Sequence, residues 1–294
     1  MKDKIVVITG ASSGIGLATA RELARQGALV AMVCRDAERA EAARKEVAAD
    51  ATGRAPTVFL ADLSSQREIR RLAAEIKRTH AQIDVLINNA GAVFARRELS
   101  VDGIEKTFAV NHLAPFLLTN LLLDNIRAAP AGRIVTVGSE SYSSTLDFDN
   151  LQSEKKHQFL LAYFRSKLEN ILFTFELSRR LAGTRVTANC LSPGPTKTRF
   201  GNNMDGLAAL FPLFIKSFPF FASPEKGART SVYLASSPEV ANVTGRFYMR
   251  SREVRTKPVT HDLSVARRLW DISEALCRSS ETCTESAPLR ALSA

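Results

Sequence analysis

Apolar and polar positions follow two rhythms along this chain. Short continuous apolar runs, rich in β-branched residues, alternate with longer stretches in which apolar residues return every third or fourth position. A run such as Ile5-Val6-Val7-Ile8 lacks the polar alternation of a half-exposed strand, so Lys4–Thr9 reads as a strand covered on both faces. A helix over Ile15–Gln26 follows, ended by Gly27, then a strand over Ala28–Cys34 and a charged, alanine-rich helix over Ala37–Asp50. Thr57–Ala61 and Ile83–Ile87 read as strands around a helix over Ser64–His80, with Ser64 or Ser65 as its cap. A long helix with a broad apolar side lies within Gly103–Ile126, and Arg133–Val137 is the next strand. A buried helix over Leu160–Leu181, a strand over Arg185–Leu191 and a helix from near Pro224-Glu225 complete the pattern. Strands alternating with helices, without tandem hairpins, predict an α/β fold: one doubly wound parallel sheet, with helices on both faces, over residues 1–287. Pro288–Ala294 has no periodicity and reads as a frayed tail.

Residues 199–223 break the rhythm. Leu207, Leu210, Phe211, Leu213, Phe214, Ile215, Phe218, Phe220 and Phe221 crowd together, interrupted by Pro212 and Pro219. A long irregular insertion of this kind reads as a lid or binding loop, or as ordinary core. Residues 204–221 could also dip into a membrane interface, with the basic residues Arg246–Lys257 facing anionic lipid.

Composition narrows the class. With 45% hydrophobic and 24% charged residues the chain is globular, and no apolar run is long enough to span a bilayer. Met1-Lys2-Asp3-Lys4 leads directly into the first strand, so no signal peptide is expected and the cytoplasm is the expected location. The cysteines at 34, 190, 277 and 283 have neither metal-ligand nor disulfide spacing. The net charge of +10 raises nucleic acid as a partner, but the basic residues are dispersed and no nucleic-acid motif accompanies them. His112 and His157 have no partner cluster, so no metal is expected and both read as structural.

Two stretches carry candidate chemistry. Thr9-Gly10-Ala11-Ser12-Ser13-Gly14-Ile15-Gly16 joins the first strand to the first helix, where glycines admit a phosphate to the backbone and the helix N-terminus supplies N–H groups. At the end of the second strand, Arg35 suits the 2′-phosphate of NADP; if Asp36 faces the ribose instead, NAD is favoured. Tyr163 and Lys167 are four residues apart, so a helix places them on one face. The ammonium should lower the phenol pKa toward the range of useful proton transfer.

These stretches, with Asp62-Leu63, Asn88-Asn89-Ala90-Gly91, Asn111, Gly138-Ser139 and Pro193-Gly194 in order between and after them, resemble the short-chain dehydrogenase/reductase family. The runs Asn111–Thr119, Leu146–Gln152, Ser166–Phe173 and Arg268–Ser273 resemble its retinol-dehydrogenase-like branch. The resemblance implies a Rossmann fold and an NADP-dependent oxidoreductase that interconverts a lipophilic alcohol and its aldehyde or ketone. It implies Tyr163 as acid/base, Lys167 as its tuner and ribose ligand, Ser139 on the substrate oxygen, and Asn111 holding a water in a relay to Lys167. It further implies that Asp62 and Leu63 flank the adenine, that Asn89, Ala90 and Gly91 line the cofactor cleft, and that Pro193, Gly194 and Thr198 border the nicotinamide. The sequence departs from the family pattern at Gly138, where serine is common, and at Pro195-Thr196, where a small residue and valine are usual. Relatives often pair through the helices near 103–126 and 160–181, implying a homodimer or homotetramer unless the apolar faces of these helices are core. A silent NADP-sensing regulator on the same fold is the alternative, disfavoured by the presence of both Tyr163 and Lys167.

Overall fold

The computed structural model describes residues 1–196 and 222–285. Most of the 199–223 segment, Thr198 and the 288–294 tail lie outside the described residues. Among the described residues the strands form one sheet in the order β3-β2-β1-β4-β5-β6-β7-β8. These are β1 (Ile5–Thr9), β2 (Leu29–Cys34), β3 (Thr57–Leu60), β4 (Val85–Asn88), β5 (Arg133–Val137), β6 (Thr187–Ser192), β7 (Phe247–Met249) and β8 (Arg252–Glu253). All neighbours pair in parallel except β7 and β8, which form a terminal hairpin.

Alternate strand residues face opposite layers. Val6 and Ile8 of β1 join the cluster formed with α1 (Gly14–Arg25), α2 (Ala37–Asp50) and α7 (Pro224–Ser236). Val7 joins the cluster on the other face, formed with α3 (Gln66–Thr79), α5 (Ala114–Arg127), α6 (Phe159–Arg180) and the C-terminal helix α8 (Leu263–Glu285). The doubly wound parallel sheet is as expected. The caps follow local chemistry: Ser65 rather than Ser64 accepts the N–H of Glu68 at the start of α3, and Asp36 accepts that of Arg39 at the start of α2.

The helix expected within Gly103–Ile126 is composite. A short α4 (Lys106–Phe108) passes through a π-helical turn, Ala109–Leu113, into α5. At the amino ends of the strands, the buried Asp84 carboxylate ties the sheet together, accepting from Lys4 Nζ and from the Ile5 N–H at 2.9 Å each. At the carboxyl ends the chain runs outward from β1 to β3 and returns to β4, so a cleft opens between the connections that leave β1 and β4.

Candidate active site

Every candidate residue the structure describes lies on connections at the carboxyl ends of the strands. The glycine turn is hung from the end of β2: the Gly10 N–H donates to Val33 O at 2.9 Å, and Gly10 and Gly14 take φ of +68° and +55°. Those backbone angles favour glycine. A Cβ on Gly16 would lie 2.3 Å from Gly10 O and 2.5 Å from Asn89 Nδ2, so α1 starts against bare backbone. Ser13 caps α1 without using its side chain, and the first turn has no acidic residue. Ser12 faces the Cys34 thiol, and Ile15 faces Gly227 at the start of α7. Thr9, read from the sequence only as the residue that opens the turn, joins the two sides of the cleft. Its hydroxyl accepts the N–H groups of Asn89 and Ala90 at 3.0 Å each, while Asn89 Nδ2 donates back to Thr9 O at 2.8 Å. This cradle, open to an anion at a helix N-terminus, fits the pyrophosphate of a dinucleotide.

Arg35 is exposed at the end of β2. Asp36 beside it is held as the cap of α2, at 2.9 Å from the Arg39 N–H, so its carboxylate is engaged by backbone where the chain leaves β2. Asp62 folds into a turn of its own, its Oδ1 accepting from the N–H and hydroxyl of Ser64, and Leu63 packs against the α3–α5 core.

The proton-transfer group gathers at the end of β5. Lys167, only 4% exposed, donates from Nζ to Val137 O at 3.0 Å and lies 5.5 Å from the centre of the Tyr163 ring. Ser139, two residues beyond Val137, sets its hydroxyl beside that of Tyr163, close enough to act on the phenol pKa. Its Oγ also accepts the Ser141 N–H at 3.0 Å. The expected fall of the phenol pKa is not found. Burial pushes it up to about 12, with Ser139 acting downward and the nearby Glu140 upward. Burial also lowers the Lys167 ammonium to about 8. The ammonium, directed at Val137 O, does not offset the cost of a phenolate on the partly buried Tyr163 beside Glu140.

Asn111, fully buried in the π-helical turn, accepts the Ala92 N–H at 2.7 Å and donates to Ala92 O at 2.9 Å and Ser166 Oγ at 3.0 Å. Ser166 in turn donates to Tyr163 O at 2.8 Å, binding the turn to the helix of Tyr163 and Lys167. Ser166 lies on the same helical stripe as Tyr163 and Lys167, a spacing that could have marked it. Over Gly91, a Cβ would lie 3.5 Å from Asn111 Oδ1 and 3.7 Å from Lys167 Nζ. The space kept clear there faces both groups.

Glu140 accepts from Ser192 Oγ at 3.2 Å, and Ser192 Oγ accepts the Gly194 N–H at 3.1 Å. Pro193 and Gly194 are thereby placed beside Ser139. Both departures from the family pattern have local causes. A side chain on Gly138 would meet Cys190 Sγ at 2.8 Å. Thr196 bridges to Ala222, where the described chain resumes, and its hydroxyl donates to Gly194 O at 3.0 Å. The structural reading of the histidines agrees with their surroundings: His157 Nε2 lies 3.3 Å from Phe94 O, and His112 is buried among aromatic rings.

Comparison with known proteins agrees with this arrangement. The short chain dehydrogenase family profile matches residues 4–206. Human retinol dehydrogenase 14 is 46% identical over 291 residues, covering 94% of this chain and 87% of that protein. A crystal structure of an uncharacterised Mycobacterium paratuberculosis protein superposes with a TM-score of 0.75 at 34% identity, covering 94% of both chains. A Burkholderia cenocepacia short chain dehydrogenase solved in complex with NADP superposes with a TM-score of 0.64 at 26% identity, covering 84% of this chain and 95% of that one. A phosphate cradle on β1, a Tyr–Lys pair on α6 and a relative of this closeness along nearly the whole chain lead to one conclusion: the protein belongs to the short-chain dehydrogenase/reductase family, in its retinol-dehydrogenase-like branch, and is an oxidoreductase of alcohols and carbonyls.

Proposed function

We propose that the protein is an NADP(H)-dependent oxidoreductase that interconverts a lipophilic alcohol with its aldehyde or ketone, Tyr163 serving as acid and base. The observation that carries this reading is the meeting of Ser139, Tyr163 and Lys167 at the carboxyl end of β5. Arg35, with Asp36 committed to the α2 cap, supports the phosphorylated dinucleotide. The relative named retinol dehydrogenase and the apolar 199–223 segment support a lipophilic substrate.

The chemistry supplied by the bound nicotinamide is hydride transfer to or from the carbon that bears the oxygen. The protein holds and moves the proton. Ser139 Oγ and Tyr163 Oη together present hydrogen bonds to the substrate oxygen, and Tyr163 delivers its proton as that oxygen gains charge. A phenol held up to about 12 is protonated at neutral pH and so rests as the acid needed for reduction. Lys167, with Nζ 5.5 Å from the centre of the Tyr163 ring, would hold the nicotinamide ribose. Asn111 Oδ1, which has a lone pair beyond its bond to Ala92, faces the same space over Gly91 and would hold the water that returns a proton to Lys167. The glycine turn, Asp62, Leu63, Asn89, Ala90, Pro193, Gly194 and Thr198 would seat the dinucleotide.

The test is NADPH oxidation with a lipophilic aldehyde, retinal being the probe. Tyr163→Phe is expected to lower kcat by about 100-fold or more, the scale of a lost proton donor, at unchanged NADPH affinity. Wild-type turnover in Tyr163→Phe would remove the assigned acid. Absence of turnover in the wild type across a panel of aldehydes and ketones, with NADPH bound, would favour the regulator instead.

A further inference from the structure

We infer that Ser273, on the C-terminal helix α8, is a positioning residue for the reaction, acting through His112 to fix the π-helical turn that carries Asn111. The inference rests on the proposed reading of Asn111 as the holder of the relay water.

A π-helical turn is strained relative to the α-helix around it and persists where surrounding contacts hold it. Two adjacent side chains hold this one. Asn111 fixes its inner side to Ala92 and Ser166. His112 fixes the other: Nε2 lies 2.8 Å from Ser273 Oγ, with both residues at most 1% exposed. The direction of that bond follows from proton count. Ser273 Oγ donates its one hydrogen to Leu269 O at 2.8 Å, so it accepts from His112. His112 is therefore the tautomer protonated at Nε2. Nδ1 faces the Asn170 amide of α6, short of a well-formed hydrogen bond, and the ring packs 5.3 Å from Phe108 and 6.3 Å from Phe116 and Phe173. The bond to Ser273 is thus the directional contact on this ring, in surroundings that exclude water.

Ser273 is itself held between two fixed points. One turn earlier, Trp270 packs against Phe116 and Phe173, at 4.9 and 6.0 Å between ring centres. Almost one turn later, Leu276 O and Cys277 O accept from Gln66 Nε2 and Arg70 of α3, at 3.1 and 2.7 Å. Helix α8 lies beyond the residues that the family profile matches, yet it reaches the site through one buried hydrogen bond. A shift of α8 relative to α5 would pass through His112 to Asn111 and change the distance between Asn111 Oδ1 and Lys167 Nζ across Gly91.

Ser273→Ala removes the acceptor and leaves the packing in place. His112→Phe fills the same aromatic cage without an N–H to satisfy, and so keeps the test independent of a buried unpaired donor. Each folded variant is expected to lose about 10-fold to 100-fold in kcat, the scale of a small misplacement, with the aldehyde KM and the NADPH affinity unchanged. The solvent deuterium isotope effect on kcat should rise, because proton return becomes slower, and the double variant should be no worse than either single one. Two folded variants with kcat within about twofold of wild type, or losses that multiply in the double variant, would overturn the inference. Asn111→Ala in the same assay separates the two claims. If it loses turnover while Ser273→Ala does not, the relay stands and the role of Ser273 falls; if Asn111→Ala keeps turnover, the relay reading itself falls.

Discussion

Arg35 extends into solvent from the end of β2, while its neighbour Asp36 is engaged by the backbone of α2. A charged hydrogen bond contributes roughly 1.5–3 kcal/mol, so Arg35→Ala should weaken NADPH binding by about 10-fold to 100-fold and leave NADH binding nearly unchanged. Calorimetric titration of both cofactors checks this. The identity of Arg35 was legible in the sequence because it needs only a strand end and a charge; its release from Asp36 was not, because capping is decided by backbone geometry. The phenol was misread for a related reason. Residue spacing shows that Tyr163 and Lys167 share a helical face, but not that Lys167 turns toward Val137 O or that burial outweighs attraction. Glu169, which the sequence did not single out, is fully buried with no hydrogen bond to either oxygen among the described residues, 3.8 Å from Arg165 Nε, and burial raises it to about 8. Its folded pKa lies above its unfolded one, so the folded state holds a proton that the unfolded state releases between about pH 4.5 and 8, and stability falls as pH rises through that window. The Tm of Glu169→Gln, measured against wild type, should therefore gain steadily between pH 5 and pH 8.

The first six strands and the helices between them followed their apolar rhythm closely, because a strand covered on both faces leaves a strong signal in composition. The π-helical turn left none: its register change alters backbone hydrogen bonds without altering the side-chain pattern of a helix. The edge hairpin β7–β8 is too short for periodicity to mark, and α8 was visible in the sequence only as the Arg268–Ser273 run. The glycine turn was read from spacing, and the structure supplies its steric reason. Gly16→Ala would press a methyl group onto Gly10 O, which is backbone and cannot swing aside. The variant should lose about 1–3 kcal/mol of stability through overpacking, and added NADPH should no longer raise its Tm. Thermal melts with and without NADPH check both effects.

At the scale of the molecule, Trp270 is the rivet between α8 and the layer formed by α5 and α6. It packs between Phe116 and Phe173, with the Arg180 guanidinium 4.2 Å from its ring centre. Trp270→Ala is expected to cost about 3–5 kcal/mol, measured by urea unfolding, and to loosen the helix that braces His112. The sheet also divides the molecule in two. Strands β1 to β7 run the same way, so each sends its carboxyl end to one rim and its amino end to the other. The reacting groups occupy the first rim; the Asp84 tie to Lys4 and Ile5 belongs to the second. A mutational map of this protein should therefore show two hemispheres with different symptoms. Damage around Asp84 should shorten the lifetime of the native enzyme while each surviving molecule turns over at full speed, whereas loss of the Ser139 or Tyr163 hydroxyl at the opposite pole should leave durable molecules that no longer work.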